Sequence, residues 1–179
     1  MKGSGETALL ERCLEGDREA LAELFQNYEK RIFNVGLRIT GSRADAADVT
    51  QTVFMKVFEN LHQFDPEYRF FSWIYRIAVN ESIQSAERSK RGQPLDGLEP
   101  SSDRDPQSVV EAQDLTDLVQ SGLMGLGARY RTLVVLKHFQ GFSYREISKI
   151  LQLPETVVKS RLYRARQMMK DFLTSRNAV

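Results

Sequence analysis

Apolar residues in this chain recur every three or four positions, and that spacing limits the available folds more than any other feature. Between residues 17 and 40 the stripe is Leu21, Leu24, Phe25, Tyr28, Ile32, Val35 and Ile39, which is one buried face of a 3.6-residue helix. Val49, Val53, Val57 and Leu61 repeat the pattern, with Phe54 and Phe58 beside them. No stretch alternates apolar and polar over the length of a strand, and no Asn-Gly or Asp-Gly turn joins two such stretches. An all-α fold is therefore predicted. Helices are expected at about 7–15, 17–40, 43–62, 69–88, 109–124, 129–139, 144–152 and 155–173. Gly16, Gly41 and Phe64-Asp65-Pro66 end the first three, and Asp17 and Ser42 cap the next two starts.

The chain of 179 residues has room for one domain or two small ones. Residues 92–108, GQPLDGLEPSSDRDPQS, hold three of the five prolines with two glycines and three serines. Such a segment reads as a flexible acidic linker. It predicts two small helical domains, residues 1–91 and 109–179. As a coil the linker spans roughly 20–25 Å, and fully extended about 55–60 Å.

Several classes are disfavoured. No run of about 18 apolar residues is present, so no membrane-spanning helix is expected. The acid-rich first 30 residues lack the apolar core of a secretory signal. Cys13 has no second cysteine to pair with and sits among Leu9, Leu10 and Leu14. It reads as a small core residue of a protein in a reducing cytoplasm. His62 and His138 have no ligand spacing, and no phosphate loop, dinucleotide fingerprint or nucleophile elbow occurs. No enzyme, metal or cofactor is expected. Asp45 and Asp48 read as exposed acids near a helix start, where they suit its dipole.

Charge is distributed in blocks. Residues 129–179 carry 11 Lys and Arg against 3 Asp and Glu, and residues 68–91 carry 5 against 2. Residues 1–67 and 92–128 are net acidic. Two basic surfaces facing polyanions, or merely solvated helix faces, are both compatible with this pattern.

Two segments narrow the choice. In SYREISKILQLPETVVKSRLYRAR, Ser143 and Glu146 have the spacing of a capping box. Leu153-Pro154 breaks the short helix, and Val158, Leu162, Ala165, Met169 and Phe172 share one face of the next. Two helices about a tight turn suit a helix-turn-helix; an ordinary helical hairpin with a basic side is the alternative. In a helix-turn-helix the start of the second helix enters the major groove. Glu155, Thr156, Lys159 and Ser160 would approach base edges, with Arg161 and Arg164 reaching bases or phosphates. Earlier, Trp73, Arg76, Asn80, Gln84 and Arg88 fall at spacings of 3, 4, 4 and 4. They form one aromatic and basic helix face of a kind that suits single-stranded nucleic acid. Phe70 and Ile74 read as core. Trp73 fits either the core or a stacking platform.

Taken together, DAADVTQTVFMKVFENLHQFD, FFSWIYRIAVN, the linker and RYRTLVVLKHFQGFSYREISKILQLPETVVKSRLYRAR resemble an extracytoplasmic-function (ECF) RNA polymerase sigma factor. This is the minimal bacterial type, with sigma regions 2 and 4 alone. The resemblance implies a protein that binds core RNA polymerase and directs it to promoters. Region 2 would grip the clamp helices of the largest polymerase subunit and hold the opened −10 DNA, while region 4 reads the −35 element. Asp48, Gln51 and Phe54 match the D-x-x-Q-x-x-F polymerase-binding pattern, with Asp45 where an acid usually begins it. Phe64, Tyr68, Arg69, Trp73, Arg76, Asn80, Gln84 and Arg88 fall in the segment that melts and holds the −10 non-template strand. Asn80 would line the pocket for a flipped base. Lys159, Ser160, Arg161 and Arg164 match the −35 reader. The usual Leu-Pro before Tyr130-Arg131 is Leu126-Gly127 here, which predicts a looser end to the preceding helix. An anti-sigma factor is a family expectation. With the domains, the linker would hold the two DNA readers about two duplex turns, or roughly 70 Å, apart.

Two other readings compete: a stand-alone helix-turn-helix regulator that works without core polymerase, and a regulatory mimic of a sigma factor. A duplex-reading repressor has no need of the face with Trp73 and Asn80. A mimic is expected to lack one of the two basic faces, and this chain keeps both.

Overall fold

A computed structural model describes residues 4–65, 68–92 and 110–176. The expected linker lies, after Gly92, outside them. The described residues are helical without a strand: α1 (Ser4–Leu14), α2 (Arg18–Thr40), α3 (Arg43–Asn60), a 3-10 turn at Leu61–Gln63, and α4 (Phe70–Gly92). Then come α5 (Val110–Gly125), α6 (Ala128–Val134), a π-helical turn at Val135–Phe139, α7 (Tyr144–Leu151) and α8 (Glu155–Ser175).

The caps read from the sequence are in place. Asp17 Oδ1 accepts the Glu19 and Ala20 amides at 2.9 and 3.1 Å and starts α2. Gly41, at φ 78°, ends it in the left-handed region with its N–H on Leu37 O, a conformation glycine adopts without steric cost. Ser42 caps α3. Between α2, α3 and α4 lie Leu24, Ile32, Val35, Ile39, Val53, Val57, Phe70 and Ile74, all essentially excluded from water. Cys13 is buried with Leu9 and Leu10. Lys56 on α3 donates to the buried Glu81 on α4 at 2.6 Å. These helices make the first domain. Leu123, Leu133, Leu136, Ile147, Ile150, Val158, Leu162 and Ala165 fill the second.

The end of α5 is not loose. Arg131, 1% exposed, donates from Nε to Leu123 O at 2.8 Å and from Nη2 to Met124 O and Leu126 O at 3.0 and 2.9 Å. The guanidinium satisfies the carbonyls at the end of α5, and burial pushes its pKa down to about 10.

The two domains pack directly on each other. Arg131 Nη1 also donates to Ile39 O at the end of α2. Arg38 Nη1 donates to Gln120 Oε1 at 3.0 Å, and its guanidinium lies 4.5 Å from the Phe139 ring centroid. Phe142 stacks on Phe71 at 5.6 Å and meets Tyr75 edge-on at 4.8 Å. The Tyr75 hydroxyl donates to Gln140 Oε1, and burial pushes its pKa up to about 12. A Cβ on Gly41 would sit 2.7 Å from Met124 Sδ. In this arrangement the two helix faces expected to read DNA are adjacent rather than held apart, because apolar and aromatic groups on facing helices bury one another.

Candidate nucleic-acid interface

The helix-turn-helix is formed as its sequence demands. The Ser143 hydroxyl accepts the Glu146 amide, and Glu146 accepts the Ser143 amide at 2.8 Å, completing the capping box. The Ser143 amide first, and then the Ser143 hydroxyl, which also lies 2.8 Å from Glu146 Oε2 as a donor, hold the Glu146 carboxyl below its ordinary pKa. Gln152, at φ 52°, turns the chain, and Ser148 Oγ donates to Leu153 O at 2.5 Å. Pro154 then precedes the first turn of α8.

At about 100° per residue, Thr156, Lys159, Ser160 and Tyr163 share a sector of α8, and all four are exposed. Glu155, half-buried, borders them and pairs with Lys159 at 2.9 Å. Arg164 is exposed on the other border. Arg161 falls about 140° from Thr156, flanking the apolar face that carries Val158 and Leu162. There it lines a cavity of about 210 Å³ together with Arg76 and Asn80. The sequence reading therefore places five of its six residues together on α8, and Arg161 stands apart from them. It missed Tyr163, 64% exposed in the middle of this sector. An aromatic off the stripe was the available signal.

The α4 face is assembled next to the helix-turn-helix. Phe64, Tyr68, Arg69, Trp73 and Arg76 line a cleft of about 660 Å³ whose other wall is Ser148, Lys149, Gln152 and Leu153. Arg76 donates to Lys149 O at 2.8 Å and Ile150 O at 3.3 Å, the carbonyls at the end of α7. Asn80, Gln84 and Arg88 continue the face and are exposed. Phe64 is only 8% exposed and packs against Phe70 and Trp73, each at 5.5 Å. Trp73, half-buried, packs on Phe64 and Phe70 and also lines the cleft. Tyr68 is 67% exposed.

On α3 the pattern residues Asp45, Asp48, Gln51 and Phe54 do not share one face. Each three-residue step falls back about 60°, so Asp45 and Phe54 lie on opposite sides of the helix. Asp45 accepts the Ser89 hydroxyl of α4 at 3.3 Å. Phe54 packs on Phe25 of α2 at 4.5 Å and, with Gln51, lines an open groove between α2 and α3. Asp48 and Gln51 point outward. Met55 and Phe58, 55% and 62% exposed, share their sector, and the sequence reading did not single them out as site residues. No helix among the described residues is long and apolar enough to cross a membrane.

Residues 24–92 match the Sigma-70 region 2 family, and residues 117–169 match Sigma-70 region 4. The chain is 30% identical over 176 residues to the ECF RNA polymerase sigma factor SigW of Bacillus subtilis, covering 92% of this chain and 94% of that protein. It is 28% identical to the ECF sigma-E factor of Escherichia coli, covering 93% of each. Among solved structures it resembles CnrH, determined in complex with the cytosolic domain of CnrY, with TM-score 0.73 and 23% identity over 94% of this chain and 96% of that one. It also resembles the sigma factor RpoE of Bartonella quintana, determined with the anti-sigma factor NepR, with TM-score 0.68 and 23% identity over 86% and 96%. The chain belongs to the ECF RNA polymerase sigma factor family. It is a promoter-specificity subunit that joins core RNA polymerase and directs it to promoters, and the stand-alone regulator is not favoured.

Proposed function

We propose a division of this activity among three helices. The outward face of α3 docks on the clamp helices of the largest polymerase subunit through Asp48, Gln51 and Phe54, with Asp45 at its margin. Met55 and Phe58 extend that face with apolar area. The α4 face holds the −10 non-template strand: Tyr68 and Trp73 stack bases, while Arg69, Arg76 and Arg88 follow the phosphates. Stacking contributes about 1–3 kcal/mol per base. Asn80, between Arg76 and Gln84, receives a flipped base, whose extrusion costs a few kcal/mol. Phe64 supports Trp73 from below. In the −35 duplex, Glu155, Thr156, Lys159 and Ser160 approach base edges and Arg161 and Arg164 the backbone. The working units are residues 1–91, the linker 92–108 and residues 109–179.

A single observation carries this reading. An aromatic and basic face lining a cleft on one domain accompanies a capped helix-turn-helix on the other, and a reader of duplex alone has no use for the first. Family membership also supports an anti-sigma factor as regulatory partner and the cytoplasm as the place of action, with no catalysis by this chain itself. Reconstitution with bacterial core polymerase on a random promoter library tests the proposal. Recovery of promoters sharing a −35 and a −10 element is expected. A library transcribed no better than by core alone contradicts it.

A further inference from the structure

The cleft between α4 and α7 carries features that the DNA assignments leave over. Its volume of about 660 Å³ falls within the range of small-molecule sites, ~300–1,000 Å³. One wall is the start of α4 with the loop before it, and the other belongs to the helix-turn-helix. Two facing walls suit a single small molecule. Tyr68 and Trp73 offer ring faces to it, and Arg69, Arg76 and Lys149 set three positive charges against one acid, Asp65. Arg76 is fixed by its bonds to Lys149 O and Ile150 O. Arg69 and Lys149 stand on opposite walls.

A buried hydroxyl is the second observation. Ser72, 6% exposed, lines the same cleft, and its Oγ has no hydrogen-bond partner among the described residues. Thr40, Thr50 and Ser82, also buried in this domain, each bond back to the carbonyl four residues earlier. Ser72 stands in the first turn of α4, where the preceding helical turn that would supply such a carbonyl is missing. A buried polar atom left unpaired costs stability, and a ligand that pairs with it recovers that cost.

We propose that this cleft is a binding site for a free nucleoside 5′-phosphate. The base lies on Trp73 and Tyr68, its polar edge meets Ser72 Oγ, and the phosphate sits between Arg69 and Lys149. Stacking accepts every base, because each has a π-face. The site rests on the cleft and its lining. Competition with DNA rests in addition on the assignment of the α4 face to the −10 strand: Tyr68, Arg69 and Trp73 cannot hold a nucleotide and a strand at once, so the nucleotide acts as an effector that lowers strand affinity.

Calorimetric titration of the full chain with AMP, GMP, CMP and UMP tests the site, with adenosine and inorganic phosphate as the separate halves of AMP. Saturable binding of one nucleotide per chain is expected, about tenfold or more tighter than either half. Ser72→Ala and Lys149→Ala lie outside the proposed DNA and polymerase contacts. Each should weaken nucleotide binding about fivefold to tenfold, with circular dichroism and melting temperature checking the fold. Ser72→Ala, which removes a hydroxyl without a partner, should melt no lower than wild type. No binding of any of the four at millimolar concentration, inorganic phosphate binding as tightly as AMP, or wild-type affinity in both folded variants overturns the proposal. Nucleotide at ten times its Kd should also weaken binding of a fluorescent −10 strand about elevenfold. Nucleotide binding that depends on Ser72 and Lys149 but leaves strand affinity unchanged would support the site and refute the placement of the strand on α4.

Discussion

At the scale of single residues, burial decides roles that residue type leaves open. Phe64 and Tyr68 flank one loop and both were assigned to −10 DNA, yet Phe64 is enclosed by Phe70 and Trp73 while Tyr68 is in water. Phe64→Ala should cost about 3 kcal/mol of stability, lowering the melting temperature as well as promoter melting. Tyr68→Ala should leave the melting temperature unchanged and lower strand binding alone. Thermal denaturation beside a strand-binding assay separates the two. Glu146 offers a pH test. Its carboxyl is held below the ordinary value by the Ser143 amide, so the ionised form stabilises the folded state. That contribution is complete above the unfolded carboxylate pKa, about 4.3, and is lost as pH falls through the lower folded value. Glu146→Gln should therefore be less stable than wild type at pH 7, with the difference shrinking below about pH 4; denaturant melts at both pH values check it.

At the scale of helices, much of the architecture was legible because each signal is local. Asp17, Ser42 and the Ser143–Glu146 pair stop and start helices through bonds to amides two or three residues away, and the Val49, Val53 and Val57 stripe names its own buried face. The π-turn at Val135–Phe139 was not legible, since a nearly continuous apolar run, LVVL, carries no period. Faces opposite the core were legible only in part. On α3 the residues of the three-residue pattern, Asp45 to Phe54, diverge by about 180° around the helix. If the outward sector is the docking face, Phe58→Ser and Met55→Ser should weaken binding to core polymerase several-fold while leaving the helical spectrum intact. Titration of labelled polymerase measures this. On α8, Lys159 stands in the exposed sector and Arg161 beside the core. Lys159→Ala should depress −35-dependent transcription more than core binding. Arg161→Ala should affect duplex reading less than Lys159→Ala does, as competition with −35 duplexes would reveal.

At the scale of the molecule, the sequence spoke for two modules and a tether but not for their embrace. The contacts that join them, Arg76 to the carbonyls of Lys149 and Ile150 and Arg38 to Gln120, link residues more than seventy positions apart. Neither module's own periodicity marks them. Arg131 is the extreme case: a cation amid apolar neighbours, satisfied by carbonyls from the ends of α2 and α5. Its partners could be named only once the fold had brought two helix C-termini together, where the dipole favours positive charge. The aromatic residues at the junction are a further case: Phe142 stacks on Phe71 and meets Tyr75 edge-on, across a sequence separation that no local pattern marks.

The claim on which the rest depends is that this chain lets core polymerase open a promoter it otherwise ignores. Permanganate reactivity of thymines across the −10 element of a selected promoter tests it most directly. Core polymerase with the chain should make those thymines reactive, and core alone should not. Reactivity unchanged by the chain, with promoter and polymerase both competent in control reactions, would contradict the account.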